Sequence, residues 1–268
     1  MPSSYGMMPE MRSFFVQMGC IVLGLGCPAQ SPERDGPGTP TPMTAVETKR
    51  EHPAFTAFSD ARTRMVRTQM RARDIDDPRV LAAMTRVPRH FFVGESWINE
   101  AYGDRPLPIG QRQTISQPYI VALMTQLAQV KAKSRVLDVG TGSGYQMAVL
   151  AELSGHVYGI EILCDFADLA RNRLKALGYK NYTLKCGDGF AGWAAHAPYD
   201  AIIVAAAPQR IPPALIEQLA PGGRLVIPVG GRRQELKVVE KRADGSFFAR
   251  NVAPVRFVPM TGRALQVE

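Results

Sequence analysis

The fold is decided by one stretch of the chain, Val136-Leu137-Asp138-Val139-Gly140-Thr141-Gly142-Ser143-Gly144-Tyr145. An apolar run leads into a loop in which every second residue is glycine, and helix-forming residues follow the loop. Glycine accepts positive φ angles and lets the backbone approach a ligand that a Cβ atom would block. The stretch therefore predicts a strand, a ligand-binding loop and a helix, the first unit of a nucleotide-binding type of α/β domain.

The same alternation of strand and helix continues towards the C-terminus. Strands are predicted at 135–139, 156–160, 182–186, 201–205 and 224–229, and helices at 145–154, 164–177 and 212–219. Repeated βα units imply a parallel sheet covered on both faces. The last two runs, 236–241 and 247–257, are too close together for a crossover helix, so they predict an antiparallel hairpin. The predicted fold is α/β and Rossmann-like, with a mostly parallel sheet, a C-terminal antiparallel hairpin and an N-terminal helical extension.

The spacing of the glycines disfavours one common ligand class. A dinucleotide fingerprint has the form G-x-G-x-x-G and places a pyrophosphate at the helix N-terminus. Here the pattern is G-x-G-x-G, and Asp138 stands two residues before the first glycine. An acid at this position would repel a pyrophosphate and suits a ligand that carries positive charge or hydroxyl groups.

Two further acids follow the next two strands. Glu161 comes roughly 20 residues beyond the glycine loop, where a carboxylate can accept hydrogen bonds from both ribose hydroxyls. Asp188, in Gly187-Asp188-Gly189, follows the third strand and can reach the amino group of an adenine. Alone, Glu161 would be a solvated strand end and Asp188 a turn residue. Together with the loop they predict a pocket for S-adenosyl-L-methionine, which has a sulfonium and no phosphate, and hence a methyltransferase.

Composition sets weaker limits on function. A chain of 268 residues suits one large α/β domain with an extension better than two catalytic domains. The net charge of +8 favours acidic partners such as RNA. The basic residues are scattered, however, and a solvated helix face explains the denser run at 62–73 equally well.

The four cysteines, at positions 20, 27, 164 and 186, give no sign of a metal site. No pair has C-x-x-C spacing and no histidine cluster accompanies them, so neither zinc nor a disulfide framework is indicated. We expect Cys164 and Cys186 to be small buried apolar side chains.

The N-terminal part of the chain leaves three interpretations open: a signal segment, a disordered extension, or translation that starts at a later methionine such as Met43. The apolar run at 14–26 is too short to span a membrane, and it suits either a secretory or lipoprotein-type signal or a disordered extension. Residues 28–53 are rich in proline and glycine, which is typical of a flexible linker. Helical spacing begins near Phe55, and further helices are predicted from Asp77 and at 117–129. We therefore divide the chain into a flexible extension, 1–54, and a methyltransferase domain, 55–268, with a helical substrate or lid region at 55–132 and the cofactor-binding core at 133–268.

The residues after the fourth strand bear on the methyl acceptor. Enzymes that methylate base amino groups usually carry Asp or Asn before Pro-Pro at this point, whereas this chain has Val204-Ala205-Ala206-Ala207-Pro208. No acid or amide is present there to hold an amino group. The pattern therefore disfavours methylation of a nucleobase.

Upstream of the core, Thr114 and Ser116 stand just before the helix that Pro118 begins. Capping of that helix by Ser116 is one explanation. At this point, however, the sequence resembles the protein-L-isoaspartate (D-aspartate) O-methyltransferase family. The matching stretches, besides the glycine loop, are Arg86-Val87-Pro88-Arg89-His90-Phe91-Phe92, Asp104-Arg105-Pro106-Leu107-Pro108-Ile109-Gly110, Gln113-Thr114-Ile115-Ser116-Gln117-Pro118, Tyr199-Asp200-Ala201-Ile202-Ile203-Val204, Leu219-Ala220-Pro221-Gly222-Gly223-Arg224-Leu225 and Arg256-Phe257-Val258-Pro259-Met260-Thr261.

The resemblance implies the roles of the site residues. Ser116 would be the catalytic serine, and residues 113–116 would close over donor and substrate. The residues implied to bind the donor are Gln113, Thr114, Ile115, Ser116, Asp138, Gly140, Gly142, Gly144, Glu161, Asp188, Gly189 and Thr261, and no metal is implied. One departure from the family pattern is Arg112, where glycine is expected; its bulk and charge bear on loop closure and peptide preference.

The resemblance also implies the reaction, a methyl transfer from S-adenosyl-L-methionine to the free α-carboxylate of isoaspartyl and D-aspartyl residues in damaged proteins. A carboxylate with a pKa of about 4 is already ionised at neutral pH, so no strong general base is needed. The implied partners are isoaspartyl proteins and peptides, with no nucleic acid and no stable membrane span, and the implied state is a cytoplasmic monomer. Alternatives are export through a signal segment at 11–29, an RNA or small-molecule methyltransferase on the same fold, and a non-catalytic adenosyl-binding module.

Overall fold

The strands that the sequence predicts form one seven-stranded sheet in the computed structural model of the protein, which describes residues 51–266. The strands of the structure are β1 (Leu107–Gly110), β2 (Gln113–Ile115), β3 (Arg135–Val139), β4 (His156–Glu161), β5 (Tyr182–Cys186), β6 (Tyr199–Val204), β7 (Leu219–Gly230), β8 (Gln234–Lys241) and β9 (Phe247–Val255). The large sheet has the order β5-β4-β3-β6-β7-β8-β9. Strands β3 to β7 pair in parallel, and β8 and β9 add antiparallel strands at one edge.

Helices cover both faces of this sheet. The α-helices are α1 (Ser59–Met65), α2 (Pro78–Arg86), α3 (Pro118–Ala128), α4 (Tyr145–Ala151), α5 (Cys164–Ala176) and α6 (Pro213–Glu217), and α1 continues as a π-helix over Val66–Arg71. Shorter turns of helix lie at Pro53–Phe55, Arg89–Phe92, Glu95–Glu100, Gly189–Ala191, Ala194–His196 and Gly262–Gln266. The predicted α/β class, with its mostly parallel sheet, C-terminal hairpin and N-terminal helices, is confirmed.

Side-chain alternation along the strands builds two cores. In β3, Val136 belongs to the cluster that includes residues of the N-terminal helices and of α3 to α5, whereas Leu137 and Val139 belong to the cluster that includes α6. Successive side chains of a strand point to opposite faces, so this alternation places Asp138 on the same face as Val136. The sheet order reverses beside β3, since β4 continues in one direction and β6 in the other. The carboxyl edge at such a reversal is where open α/β sheets form a crevice for ligands.

The two-stranded sheet of β1 and β2 is not among the sequence predictions, which name only helices in the region 55–132. Leu107 pairs with Ile115 in antiparallel register, and the connection consists of Gln111 and Arg112, with φ of +46° and +59°. Two residues in the left-handed region form the tight turn that suits a hairpin, and Asn-Gly is its usual sequence. Because neither residue is glycine or asparagine, the turn leaves no sequence signal.

The expectation that Cys164 and Cys186 are buried apolar side chains is wrong. Both residues are exposed, and their sulfurs are joined in a disulfide with 5.0 Å between the Cα atoms. Cys164 is the first residue of α5 and Cys186 is the last of β5, a strand that pairs directly with β4. The turn after β4 brings the two sulfurs together, although 22 residues separate them in sequence.

The predicted extension and signal segment lie outside the described residues, except for residues 51–54. The division of the chain at residue 55, and the division of the domain into lid region and core, therefore stay predictions. Within residues 51–266, no helix has both the length and the apolar character that crossing a membrane requires.

Candidate active site

A concave pocket opens at the carboxyl edge of β3, β4 and β6, below the hairpin of β1 and β2. It encloses about 1170 Å³, a volume that includes the open solvent at its mouth. Its walls come from the glycine loop, the segments after β4 and β5, the residues around Ser116 and the C-terminal segment at 258–261.

The glycine loop after β3 is shaped by residues with positive φ and held by Glu161. Gly140, Gly142 and Gly144 have φ of +81°, +52° and +93°. The Gly142 N–H donates to Glu161 Oε2 at 2.7 Å, and the Leu163 N–H donates to Glu161 Oε1 at 2.9 Å. Each carboxylate oxygen has a second lone pair, so this buried side chain can still accept hydrogen bonds from a ligand. Glu161 thus fixes the loop and faces the pocket at the same time.

Asp138 lies beneath the glycine loop and is fully buried. Neither of its carboxyl oxygens has a hydrogen-bond partner among the described residues. Burial raises the pKa of Asp138 to about 7; the nearby Thr141 hydroxyl opposes this shift, and the negative charge of Glu161 adds to it. A buried carboxyl without a partner is costly, and a positively charged ligand above it would stabilise the ionised form. The site is therefore electrostatically suited to a sulfonium compound, and it is unsuited to a phosphate.

The segment after β5 is tied to the C-terminal part of the chain through Asp188. The Phe190 N–H donates to Asp188 Oδ1 at 2.9 Å, and the Arg263 N–H donates to Asp188 Oδ2 at 2.8 Å. Gly189 lies so close to β3 that a Cβ atom there would come within 2.4 Å of the Val139 side chain. Only glycine therefore lets this segment reach the pocket wall.

Ser116 lies between β2 and α3, and its position does not support the capping explanation. The N-cap residue of α3 is Gln117, and its side chain makes no capping hydrogen bond. No partner for the Ser116 hydroxyl is found within residues 51–266, and the residue lines the pocket. The hydroxyl is thus available to a group that enters the pocket from the lid side.

Most of the sequence-predicted site residues meet in this pocket. Those that line it are Gln113, Thr114, Ile115, Ser116, Gly140, Gly142, Glu161, Asp188, Gly189 and Thr261. The other two predicted site residues, Asp138 and Gly144, do not line the pocket. Asp138 lies under the loop, and Gly144 faces α5, where a Cβ atom would meet Ala170 at 3.1 Å. Thr261 reaches the pocket because Met260 N donates to Ala207 O at 2.8 Å and holds the C-terminal segment over β6.

Apolar lining residues are what the sequence reasoning missed. They include Ile109 on the hairpin, Val121 and Met124 on α3, and Ile162 directly after Glu161. Ile162 remains 37% exposed, although it follows the acid at a strand end, where a polar residue is expected. An apolar residue at that position was the available signal for an apolar wall of the pocket.

Three features define a methyltransferase of the S-adenosylmethionine-dependent class. They are a parallel sheet whose order reverses beside β3, a glycine loop whose neighbouring carboxyl groups disfavour a phosphate, and carboxylates at two neighbouring strand ends. The comparison with known proteins narrows this class. The family model described as Protein-L-isoaspartate(D-aspartate) O-methyltransferase (PCMT) matches residues 60–265, and the chain belongs to this family. The resemblance that the sequence motifs indicated is thereby confirmed.

Relatives and solved structures agree with the family. Protein-L-isoaspartate O-methyltransferase 2 of Polaromonas sp. is 57% identical over 189 residues, which cover 70% of this chain and 90% of the relative. Protein-L-isoaspartate O-methyltransferase of Picosynechococcus sp. is 52% identical over 203 residues, which cover 76% of this chain and 91% of the relative. A crystal structure of a putative protein-L-isoaspartate O-methyltransferase from Plasmodium falciparum, in complex with S-adenosyl-L-homocysteine, has a TM-score of 0.67 and 26% identity, covering 75% of this chain and 98% of that one.

Proposed function

We propose that this protein transfers a methyl group from S-adenosyl-L-methionine to the free α-carboxylate of L-isoaspartyl and D-aspartyl residues in damaged proteins, and so begins their repair. The observation that carries the proposal is Ser116, whose hydroxyl has no partner within residues 51–266 and lines the donor pocket on the lid side. The methyl ester would then be lost as a succinimide forms, a step that needs no enzyme.

The pocket supplies a contact for each part of the donor. Glu161 would accept hydrogen bonds from the ribose hydroxyls, and Asp188 would accept one from the adenine amino group. The backbone of Gly140 and Gly142 would pass close to the amino-acid portion, and the charge of Asp138 would favour its positive groups. When bound, the donor supplies an electrophilic methyl group on a positively charged sulfur.

The acceptor needs alignment more than activation. An isoaspartyl α-carboxylate is ionised at neutral pH, so no residue has to remove a proton from it. Ser116 would donate a hydrogen bond to one carboxylate oxygen and direct the other towards the methyl group, without forming a covalent intermediate. The apolar side chains of Ile109, Ile115 and Ile162 would keep water away from the reacting atoms.

Methyl transfer from tritiated donor tests this function directly. Three acceptors are compared: an isoaspartyl peptide, its aspartyl twin and bulk RNA. We expect base-labile label on the isoaspartyl peptide alone. Label on RNA would favour the rival methyltransferase, and binding of the donor without transfer to any acceptor would favour a non-catalytic module.

We further propose that the enzyme acts as a cytoplasmic monomer on protein substrates and not on nucleic acid. The donor is a cytosolic compound, and family members act on proteins. A second location, outside the cytosol, is favoured by the disulfide between Cys164 and Cys186, because such bonds persist in oxidising compartments. Light scattering of the purified protein tests the monomer. Cell fractionation together with the mass of the native N-terminus separates the two locations.

A further inference from the structure

The disulfide joins two segments that carry the donor-binding acids. Glu161 stands three residues before Cys164, and Asp188 stands two residues after Cys186. In the parallel pairing of β4 with β5, Glu161 lies opposite Cys186. The bond between the cysteines therefore lies next to the part of the pocket where the adenosine would be held.

Both joined segments are walls of that pocket. Ile162 and Leu163 line it from the β4 side, and Asp188 and Gly189 line it from the β5 side. The backbone ladder between the strands ends here, with the Gly187 N–H donating to Glu161 O at 2.9 Å. Beyond this hydrogen bond, the disulfide is a covalent tie that fixes the distance between the two walls.

A tie of this kind changes what ligand binding costs. Segments past the end of a strand ladder lose conformational entropy when a ligand orders them. When a covalent bond already holds them at the bound distance, less entropy is lost on binding, and affinity rises. Both cysteines are exposed, so a small reductant can reach their sulfurs. Cys164 and Cys186 are also the only cysteines within residues 51–266, which leaves no third thiol in this part of the chain to exchange with them.

We propose that Cys164 and Cys186 form a thiol–disulfide modification site that is coupled to the donor pocket, so that the disulfide form binds the adenosyl ligand more tightly than the dithiol form. The inference rests on the proposed function in so far as the ligand is S-adenosylmethionine or its product. By linkage, the bound ligand must favour the disulfide by the same factor by which the disulfide favours the ligand.

The chemical step is thiol–disulfide exchange with a dithiol. One thiolate of the dithiol attacks a sulfur of the cystine, which breaks the bond between the two protein sulfurs and forms a mixed disulfide. The second thiolate of the dithiol then displaces the remaining protein thiolate. Two electrons and two protons end on Cys164 and Cys186, and the dithiol becomes a disulfide.

The test uses the full chain with Cys20→Ser and Cys27→Ser, so that the pair at 164 and 186 is the only source of thiols. Alkylation and mass spectrometry first establish the state of the pair before and after anaerobic treatment with dithiothreitol. Calorimetry then gives the Kd of S-adenosylhomocysteine for each form. We expect reduction to raise the Kd at least about 5-fold, the lower end of ordinary coupling between sites.

The matched control carries Cys164→Ser and Cys186→Ser in addition. It should bind with the Kd of the reduced form and should not respond to dithiothreitol. Equal Kd values for the two forms, even with a higher unfolding temperature for the oxidised one, would mean that the bond only stabilises the fold and would overturn the coupling. Failure of the pair to oxidise would overturn it too. Failure of both forms to bind S-adenosylhomocysteine would instead overturn the proposed function, and the coupling with it.

Discussion

Replacement of Asp138 by asparagine should make the protein more stable at alkaline pH while weakening the donor site. The carboxyl of Asp138 is fully buried, and its pKa is raised from 3.8 to about 7 by burial. Between these two values the folded protein binds a proton that the unfolded chain releases, so the free energy of unfolding falls as pH rises. The loss is complete above pH 7 and absent below about pH 4.

The size of the effect follows from the shift. About three pKa units at roughly 1.4 kcal/mol each give about 4 kcal/mol, an order-of-magnitude upper bound. Asparagine has the same shape and no charge. The free energy of unfolding of Asp138→Asn should therefore rise by about 2–4 kcal/mol relative to that of the wild type as the pH is raised from 4.5 to 8. Urea unfolding at several pH values measures this difference. Asp60→Asn, at an exposed carboxyl in α1, is the control and should show a much smaller pH dependence.

The same variant tests the electrostatic argument about the donor. A cation placed over Asp138 favours the carboxylate, so binding of S-adenosylmethionine at pH 6.5 should release a proton from the wild type and none from Asp138→Asn. Calorimetry in buffers with different ionisation enthalpies counts that proton. A stability difference between variant and wild type that stays constant from pH 4.5 to pH 8 would refute the reasoning, whatever the donor affinity.

Three further substitutions test single residues of the site and the lid. Ser116→Ala should lower kcat by about 100-fold, as the loss of one orienting hydrogen bond does. The Kd of S-adenosylhomocysteine should change by no more than about 2-fold, because the hydroxyl is assigned to the acceptor carboxylate. An equal loss in both would contradict this role, and Thr68→Ala, at an exposed hydroxyl, is the control. Glu161→Gln should raise the Kd of S-adenosylhomocysteine by about 10- to 100-fold, because an uncharged amide replaces the charged carboxylate that accepts the ribose hydrogen bonds. An unchanged Kd measured by calorimetry would count against a ribose contact. Arg112→Gly should raise the free energy of unfolding by about 0.5–1 kcal/mol, because φ is +59° at this position and an L side chain is strained there. Arg112→Ala keeps the strain and is the control. Equal urea midpoints for the two variants would contradict the explanation.

Much of the fold could be predicted because buried parallel strands are short apolar runs with clear ends. The predicted bounds of β3 and β5 match the structure, and the bounds of α5 differ by one residue. Strand β7 begins at Leu219, well before the predicted 224, and its pairing with β6 is irregular between Tyr199 and Ala201. Pro221 and the glycines after it hide that beginning, because they are typical of a turn.

The sequence predicted most of the residues of the candidate site, but it did not predict how deeply Asp138 is buried or that the two cysteines are joined. The three acids at successive strand ends do come together, yet alternation along β3 turns the side chain of Asp138 to the Val136 face, beneath the loop. The disulfide could not be predicted from spacing, because Cys164 and Cys186 meet through the pairing of β4 with β5 and the turn before α5. Pairings of this kind exist only once the sheet is assembled.

The hydrogen bond from the Arg263 backbone to Asp188 has a practical consequence for anyone who produces the enzyme. The acid proposed to contact the adenine is positioned by a backbone N–H that lies 75 residues further along the chain. A chain cut before Arg263, or a bulky group attached directly behind it, would disturb this hydrogen bond and with it the position of Asp188. Donor affinities measured on such a protein would therefore report the change at Arg263 as well as the properties of the pocket.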